Sequence, residues 1–279
     1  MLVAGAVLTV LLFGLLLPLL ASFRKKRTFA ILFLITGLVF FVMAHLKSDF
    51  TEDRHKPNSL VYYQDADTGE SYWVTYDKVL DGWTKNYLGE APVDATTVIQ
   101  NVSGSKYGTG FSFAASGPQK AIPVSEIQLV KDSIQGNMRV VSLLITPQRT
   151  VNMITLFADR EAVFKDFTVN GLDVPKNESS GNAFEKRRNN LLLSYYVSDK
   201  DSLEISYTIP YDSEIILTLQ ESSLDLLEHS TFTIPERSQS EIPKPFIVTD
   251  AVVLQKTIDI NTMERSNNRP QNTGEDDTN

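Results

Sequence analysis

Asp67-Thr68-Gly69 is the tripeptide of aspartic proteases, whose chemistry needs two carboxylates sharing one proton. The sequence holds one copy, set between two β-rich runs where turn geometry accounts for both the Asp and the Gly. Asp65-x-Asp67-x-Gly69 also opens like a calcium loop, but Tyr76 stands where that loop needs a bidentate glutamate. Ser103-Gly104-Ser105-Lys106 fits Ser-x-x-Lys, a pair that must share one helical face; here it falls in a glycine-rich loop reaching Gly110. That loop lacks the Gly-Lys-Ser/Thr ending of a phosphate cradle. The three histidines, His45, His55 and His229, occur in no His-Glu-x-x-His or His-x-Asp setting that would hold zinc. Trp73, Trp83, Tyr76 and Tyr87 could line a carbohydrate groove, although aromatics in a β domain more often build its core. The assignment is therefore no catalytic, cofactor-binding or metal residue in this chain. The Asn101-Val102-Ser103 and Asn177-Glu178-Ser179 sequons matter only in a eukaryotic secretory compartment.

The chain has 279 residues, net charge −8 and no cysteine. An acidic chain with one short basic cluster is unsuited to neutralising phosphates, so nucleic acid is excluded as a partner. The missing cysteines remove thiol chemistry and disulfides while leaving the compartment open.

Residues 2–23 carry no charge, and as a helix they extend about 33 Å, enough for a hydrocarbon core of about 30 Å. Residues 29–46 form a second apolar run of about 27 Å. The intervening Arg24-Lys25-Lys26-Arg27 would cost about 3 kcal/mol per cation at a bilayer centre. Residues 24–27 are thus expected to be a basic loop joining a transmembrane helical hairpin over 1–47. The excess of cations places that loop in the cytosol and the rest of the chain on the other side. The start Met1-Leu2-Val3-Ala4-Gly5 has no basic n-region, which favours an anchor over a cleaved signal. It also suggests an internal start, with further helices upstream.

After residue 47 short apolar stretches alternate with turn signals, the pattern of an antiparallel β domain over 48–263. Strands are expected at 60–64, 71–76, 125–131, 139–146, 151–158, 164–169, 191–197, 202–209, 214–220 and 250–260. Asn170-Gly171 is the strongest turn signal. The expected fold is an all-β, antiparallel β-sandwich of jelly-roll or immunoglobulin-like type. Short helices are expected over 77–88 and 223–229, an extended surface crossover over 235–245, and a disordered tail over 264–279.

Lys56-Pro57-Asn58-Ser59-Leu60-Val61-Tyr62-Tyr63, with Asp65-Ala66-Asp67-Thr68-Gly69 and Trp83-Thr84, resembles the C-terminal, non-cytosolic region of membrane-bound di-zinc exopeptidases. These are of the vacuolar membrane protease and endoplasmic reticulum metallopeptidase type, with bacterial relatives. A second stretch carries the resemblance further: Asp225-Leu226-Leu227, Phe232-Thr233-Ile234-Pro235, Pro243-Lys244-Pro245-Phe246 and Thr249-Asp250-Ala251-Val252-Val253. The resemblance implies an N-terminal zinc aminopeptidase-like domain, membrane helices, and a C-terminal domain outside the cytosol. This chain matches the last two parts. The family's His-x-Asp and Glu-Glu or Asp-Glu zinc ligands do not occur outside the tail, which holds Asp276-Asp277; zinc is expected only in the missing peptidase domain.

The first expectation is a non-catalytic anchor that covers or positions a peptidase domain, supplied in cis or by a partner chain, with an apolar patch on one sandwich face. The alternative is an independent membrane-tethered ligand- or glycan-binding domain, which exposed Trp73 and Trp83 would favour. Either would sit in a bacterial inner membrane facing the periplasm, or in a eukaryotic endomembrane facing the lumen.

Overall fold

The computed structural model describes residues 2–21, 26–102, 105–106, 108–198 and 201–263. The tail over 264–279, and Arg24 and Lys25 of the basic loop, lie outside the described residues. The chain divides into two units, Met1–Arg54 and His55–Asn279.

The first unit contains helices α1 (Leu2–Ala21) and α2 (Lys26–Leu46). Lys26 and Arg27 therefore open the second helix, where a loop over 24–27 was the expectation; both have good helix propensity and nothing before Thr28 breaks the pattern. Arg27–Leu46 is long and apolar enough to cross a membrane or to act as a signal sequence, and it is the single candidate span among the described residues. Within α1 the corresponding described stretch is the shorter Gly5–Leu17. Large apolar side chains along both helices, such as Leu15, Leu34 and Phe41, are exposed, which suits hydrocarbon better than water.

The second unit is mostly β. Its strands are β1 (Lys56–Asn58), β2 (Val61–Asp65), β3 (Ser71–Thr75), β4 (Val93–Asp94), β5 (Phe113–Ser116), β6 (Glu126–Gln135), β7 (Met138–Thr146) and β8 (Met153–Ala158). They continue with β9 (Asp166–Val169), β10 (Leu172–Asp173), β11 (Leu191–Tyr196), β12 (Leu203–Pro210), β13 (Ile216–Ser223), β14 (Glu241–Pro243) and β15 (Ala251–Asp259). One sheet has the order β11-β8-β13-β15-β2-β3-β5-β4, a second β10-β9-β12-β7-β6, and β1 pairs with β14 alone.

The sheets are not purely antiparallel, as the alternating pattern implied. β15 runs parallel to β2 and β1 parallel to β14. Alternation sets which side chains point inward but is blind to strand direction, and both parallel pairs join segments far apart in sequence.

The two large sheets share one core. Val141, Leu143 and Ile145 of β7 and Ile205 and Tyr207 of β12 meet Ile154, Leu156, Leu217, Leu219 and Ile258 of the larger sheet. Phe167 stacks on Tyr207 within it, with ring centroids 5.9 Å apart. β12 alternates buried and less buried residues along its whole length, as period-two patterning requires. β8 is buried on both faces because other segments cover its outer side as well. The other half of the same inner face packs Tyr62, Trp73, Val252 and Leu254 against Trp83, Leu88 and Leu226. The outward side of the five-stranded sheet carries hydroxyl pairs, Ser142 with Ser206 and Thr146 with Ser202.

Helix α3 spans Gly82–Leu88 rather than starting at Asp77, because Asp81 caps it through a reciprocal box with Thr84. Ser223 ends β13 and residues 226–228 make a turn in place of the expected helix; Leu226 is drawn into the core and its N–H is taken by the Asp250 carbonyl at 3.0 Å. The proline-rich stretch 235–245 lies mostly at the surface, and β14 within it pairs with β1.

Asn170 (φ 48°) and Gly171 (φ 77°) form the β9–β10 turn in left-handed backbone, as Asn-Gly favours. Gly69 also sits at φ 77°, closing the β2–β3 hairpin. Gly69→Ala is expected to cost about 1–2 kcal/mol, the penalty of a Cβ in left-handed backbone, read as a lower urea midpoint with unchanged slope.

Candidate functional site

The hairpin turn absorbs the first set of chemical candidates. The Asp65 carboxylate accepts the N–H groups of Asp67 at 2.9 Å and Thr68 at 3.0 Å, while Asp67 accepts Thr257 N–H at 2.7 Å. Asp-Thr-Gly here shapes a turn. Ser103 and Gly104 lie outside the described residues; Ser105 shares a hydrogen bond with Thr109 at 2.7 Å. His229 Nδ1 meets the Thr231 hydroxyl at 2.7 Å. Among the described residues no three His, Asp or Glu side chains form a metal-ligating group.

Both tryptophans are 8% exposed, which removes them as a glycan platform. Trp73 lies 5.3 Å from Tyr62 and 5.0 Å from Tyr87, ring to ring. Trp83 donates its Nε1–H to the Pro235 carbonyl at 3.0 Å. Tyr76 packs on Phe111 at 4.6 Å, and burial pushes its hydroxyl pKa up.

Lys56, Asn58, Ser59, Trp83, Lys244 and Asp250, drawn from two separate stretches, converge on Asp77, Asp81 and Arg237. Asn58, fully buried, donates to Asp81 at 3.0 Å and accepts from Arg237. Arg237 forks onto both carboxylate oxygens of Asp250 and lies 4.3 Å above the Trp83 ring. Ser59 N–H donates to Asp77 at 2.8 Å, whose other oxygen takes Lys244 Nζ at 2.8 Å. Lys56 stands 3.5 Å from Asp81. Three carboxylates and three cations thus neutralise one another in a latch between residues 56–84 and 237–250.

Burial raises the Asp81 pKa, but hydrogen bonds from Thr84 and Asn58 and the Lys56 charge outweigh it, so the carboxyl sits below its ordinary value. A carboxylate with a lowered folded pKa contributes stability above its unfolded pKa and loses it as pH falls through the folded one. The domain should therefore lose stability below about pH 4, and Asp81→Asn should flatten that part of the stability–pH profile, measured by thermal melts from pH 2 to 7.

A cleft of about 1040 Å³ lies on the opposite, outer face of the eight-stranded sheet. Met153 and Phe157 of β8 form an apolar floor, with Leu191, Ser194 and Tyr196 of β11 on one side and residues 95–102, 105–106, 108–111 and 246–248 on the other. Lys106, Arg160 and Arg188 line it, and no described Asp or Glu does. Asn101 is fixed there because its carbonyl accepts Gln220 Nε2 at 2.7 Å, and Gln220 also meets Gln255. Arg187 shapes the neighbouring wall by donating to the carbonyls of Ala158, at 3.1 Å, and Asn190, at 3.2 Å; burial lowers its pKa against the opposing charges of Asp159 and Glu161.

Phe246 lines the cleft with its backbone at φ 65° and its side chain 59% exposed. A non-glycine residue in that region costs of the order of 1–3 kcal/mol and persists where its surroundings over-determine it. Its carbonyl accepts the Lys106 N–H at 2.9 Å, and Lys106 Nζ lies 4.9 Å from its ring centroid. Sequence reasoning missed this cleft because its walls come from four separated stretches; the available signal was Phe246 itself, exposed just after Pro245.

No family model matches the chain, and no curated protein matches it. Among solved structures, the N-terminal domain of PorA aligns over 47% of this chain and 84% of its own, at 10% identity and a TM-score of 0.20. A likeness of that size carries no argument about fold or function.

Proposed function

We propose that this chain is the non-catalytic, membrane-tethered module of a zinc-exopeptidase-type protein. In this reading α1 and α2 form a transmembrane hairpin with its basic turn in the cytosol. The β domain is a β-sandwich on the non-cytosolic side, where it covers or positions a peptidase domain supplied in cis or by a partner chain. The latch is the observation that supports it: both sequence stretches that resemble the peptidase region meet there, and every carboxylate in it is paired with a cation. Residues engaged in that way hold a domain together and have no proton or open coordination position to offer a substrate.

The test reads the coding sequence upstream of Met1 and assays the encoded protein, in membranes, on aminoacyl p-nitroanilides. The expected result is an in-frame or adjacent zinc peptidase domain, hydrolysis that a chelator abolishes, and no hydrolysis by this chain alone. Hydrolysis by this chain alone, or the absence of any peptidase domain in or beside the reading frame, overturns the proposal.

A further inference from the structure

We propose that Asn170 is a spontaneous deamidation site whose reaction the fold holds back until the β9–β10 hairpin opens. Asn170-Gly171 is the one Asn-Gly pair in the sequence. It forms the whole two-residue loop between Val169 and Leu172, and both residues are exposed to water. Glycine has no Cβ to shield its nitrogen, so the Gly171 nitrogen is the least hindered nucleophile that can follow an asparagine. It attacks the side-chain carbonyl carbon of Asn170 and a C–N bond forms. The carboxamide C–N bond breaks, and ammonia leaves with the proton that the Gly171 N–H gives up. Water then opens the five-membered imide at one carbonyl to aspartate, or at the other to isoaspartate. No co-reactant besides water is needed.

The ring closes only if the carboxamide swings onto the Gly171 nitrogen, and the structure ties it elsewhere. Its oxygen accepts the Glu204 N–H of β12 at 2.8 Å, and its nitrogen donates to the Tyr195 hydroxyl of β11 at 3.1 Å. The Asn170 N–H donates to the Glu204 carbonyl at 2.8 Å, which steadies the left-handed backbone at φ 48°. One side chain thus bridges the five-stranded and the eight-stranded sheet. Against these bonds stands a weak element. β10 is two exposed residues, paired among the described residues with β9 alone, and such an edge opens at low free energy. An aspartate at 170 keeps the acceptor for the Glu204 N–H but loses the amide donor. Isoaspartate also adds a methylene to the main chain, which a two-residue loop in this register cannot absorb.

The experiment incubates the full chain in detergent micelles at mildly alkaline pH, folded or unfolded in guanidinium chloride. Asn170 is followed by peptide mass spectrometry and by isoaspartyl methyltransferase labelling. The folded parent should deamidate at Asn170 about tenfold or more slower than the unfolded chain. Tyr195→Phe removes the partner of the amide nitrogen at an exposed contact, so its thermal melt should match the parent's. Its folded-state reaction should run about threefold or more faster, the worth of one hydrogen bond, with the unfolded rate unchanged. Gly171→Ala should slow the reaction in guanidinium, where no turn is left to strain. Equal rates in the folded and unfolded parent, an Asn170 that stays intact in guanidinium, or a folded Tyr195→Phe variant reacting at the parental rate overturns the proposal.

Discussion

Arg149→Met is expected to cost the β domain about 3–5 kcal/mol and to lower its thermal midpoint by about 6–20 °C. Glu221 is fully buried and Arg149 9% exposed, with Nε 2.9 Å from the carboxylate. Glu221 sits on β13 between Ile154 of β8 and Leu254 of β15, where the two halves of the inner core adjoin. Its other oxygen takes the Ser125 N–H at 2.7 Å and the Ser125 hydroxyl, while Arg149 also reaches Ser223 and the Val252 carbonyl. Removing the cation strands a charge in a site with no water to solvate it. Arg149→Met/Glu221→Leu should recover part of the loss, because no charge is stranded, yet Ser125 N–H would still lack its acceptor. Differential scanning calorimetry of both variants decides the matter: a single variant melting within about 2 °C of the parent would show that the pair contributes nothing.

The second large effect is expected at Arg237. Its guanidinium, 7% exposed, is at once a bidentate partner of Asp250, a donor to Asn58 and a stacked plate over Trp83. Arg237→Ala should cost about 3–5 kcal/mol by leaving Asp250 buried and unpaired. Arg237→Lys keeps the charge but not the fork or the plane, so it should recover little. Hydrogen exchange at the backbone of β1 and β14 should rise in both variants ahead of exchange in β7 and β12. A Lys variant with parental exchange rates would mean that charge alone closes the latch.

Much of the β framework was legible because it rests on local alternation. β2, β3, β7, β8, β11, β12, β13 and β15 fall within a few residues of their expected positions, since each has a face that must be buried. The short strands β1, β4, β5, β10 and β14 were not, because two to four residues carry too little periodicity and owe their pairing to distant partners. β6 runs on to Gln135, past its expected end at 131, because Gly136 at φ 63° opens a tight turn into β7. Burial of Trp73 and Trp83 followed the usual place of aromatics in a β domain, since their spacing is the same on a core face as on an open one. The apolar α2 was plain from composition, whereas the cleft depends on the approach of the 95–102, 105–106, 108–111 and 246–248 segments to β8 and β11, which no local pattern encodes.

β15 lies between β13 and β2, antiparallel to one and parallel to the other, so the strand that joins the two halves of the large sheet is the last of the described strands to leave the ribosome. Until residues 251–259 emerge, β11-β8-β13 and β2-β3-β5-β4 are separate half-sheets, each with an open edge. Folding of this domain is consequently timed by the emergence of residues 251–259, and a nascent chain arrested before residue 251 exposes two unpaired edges that invite association with other chains.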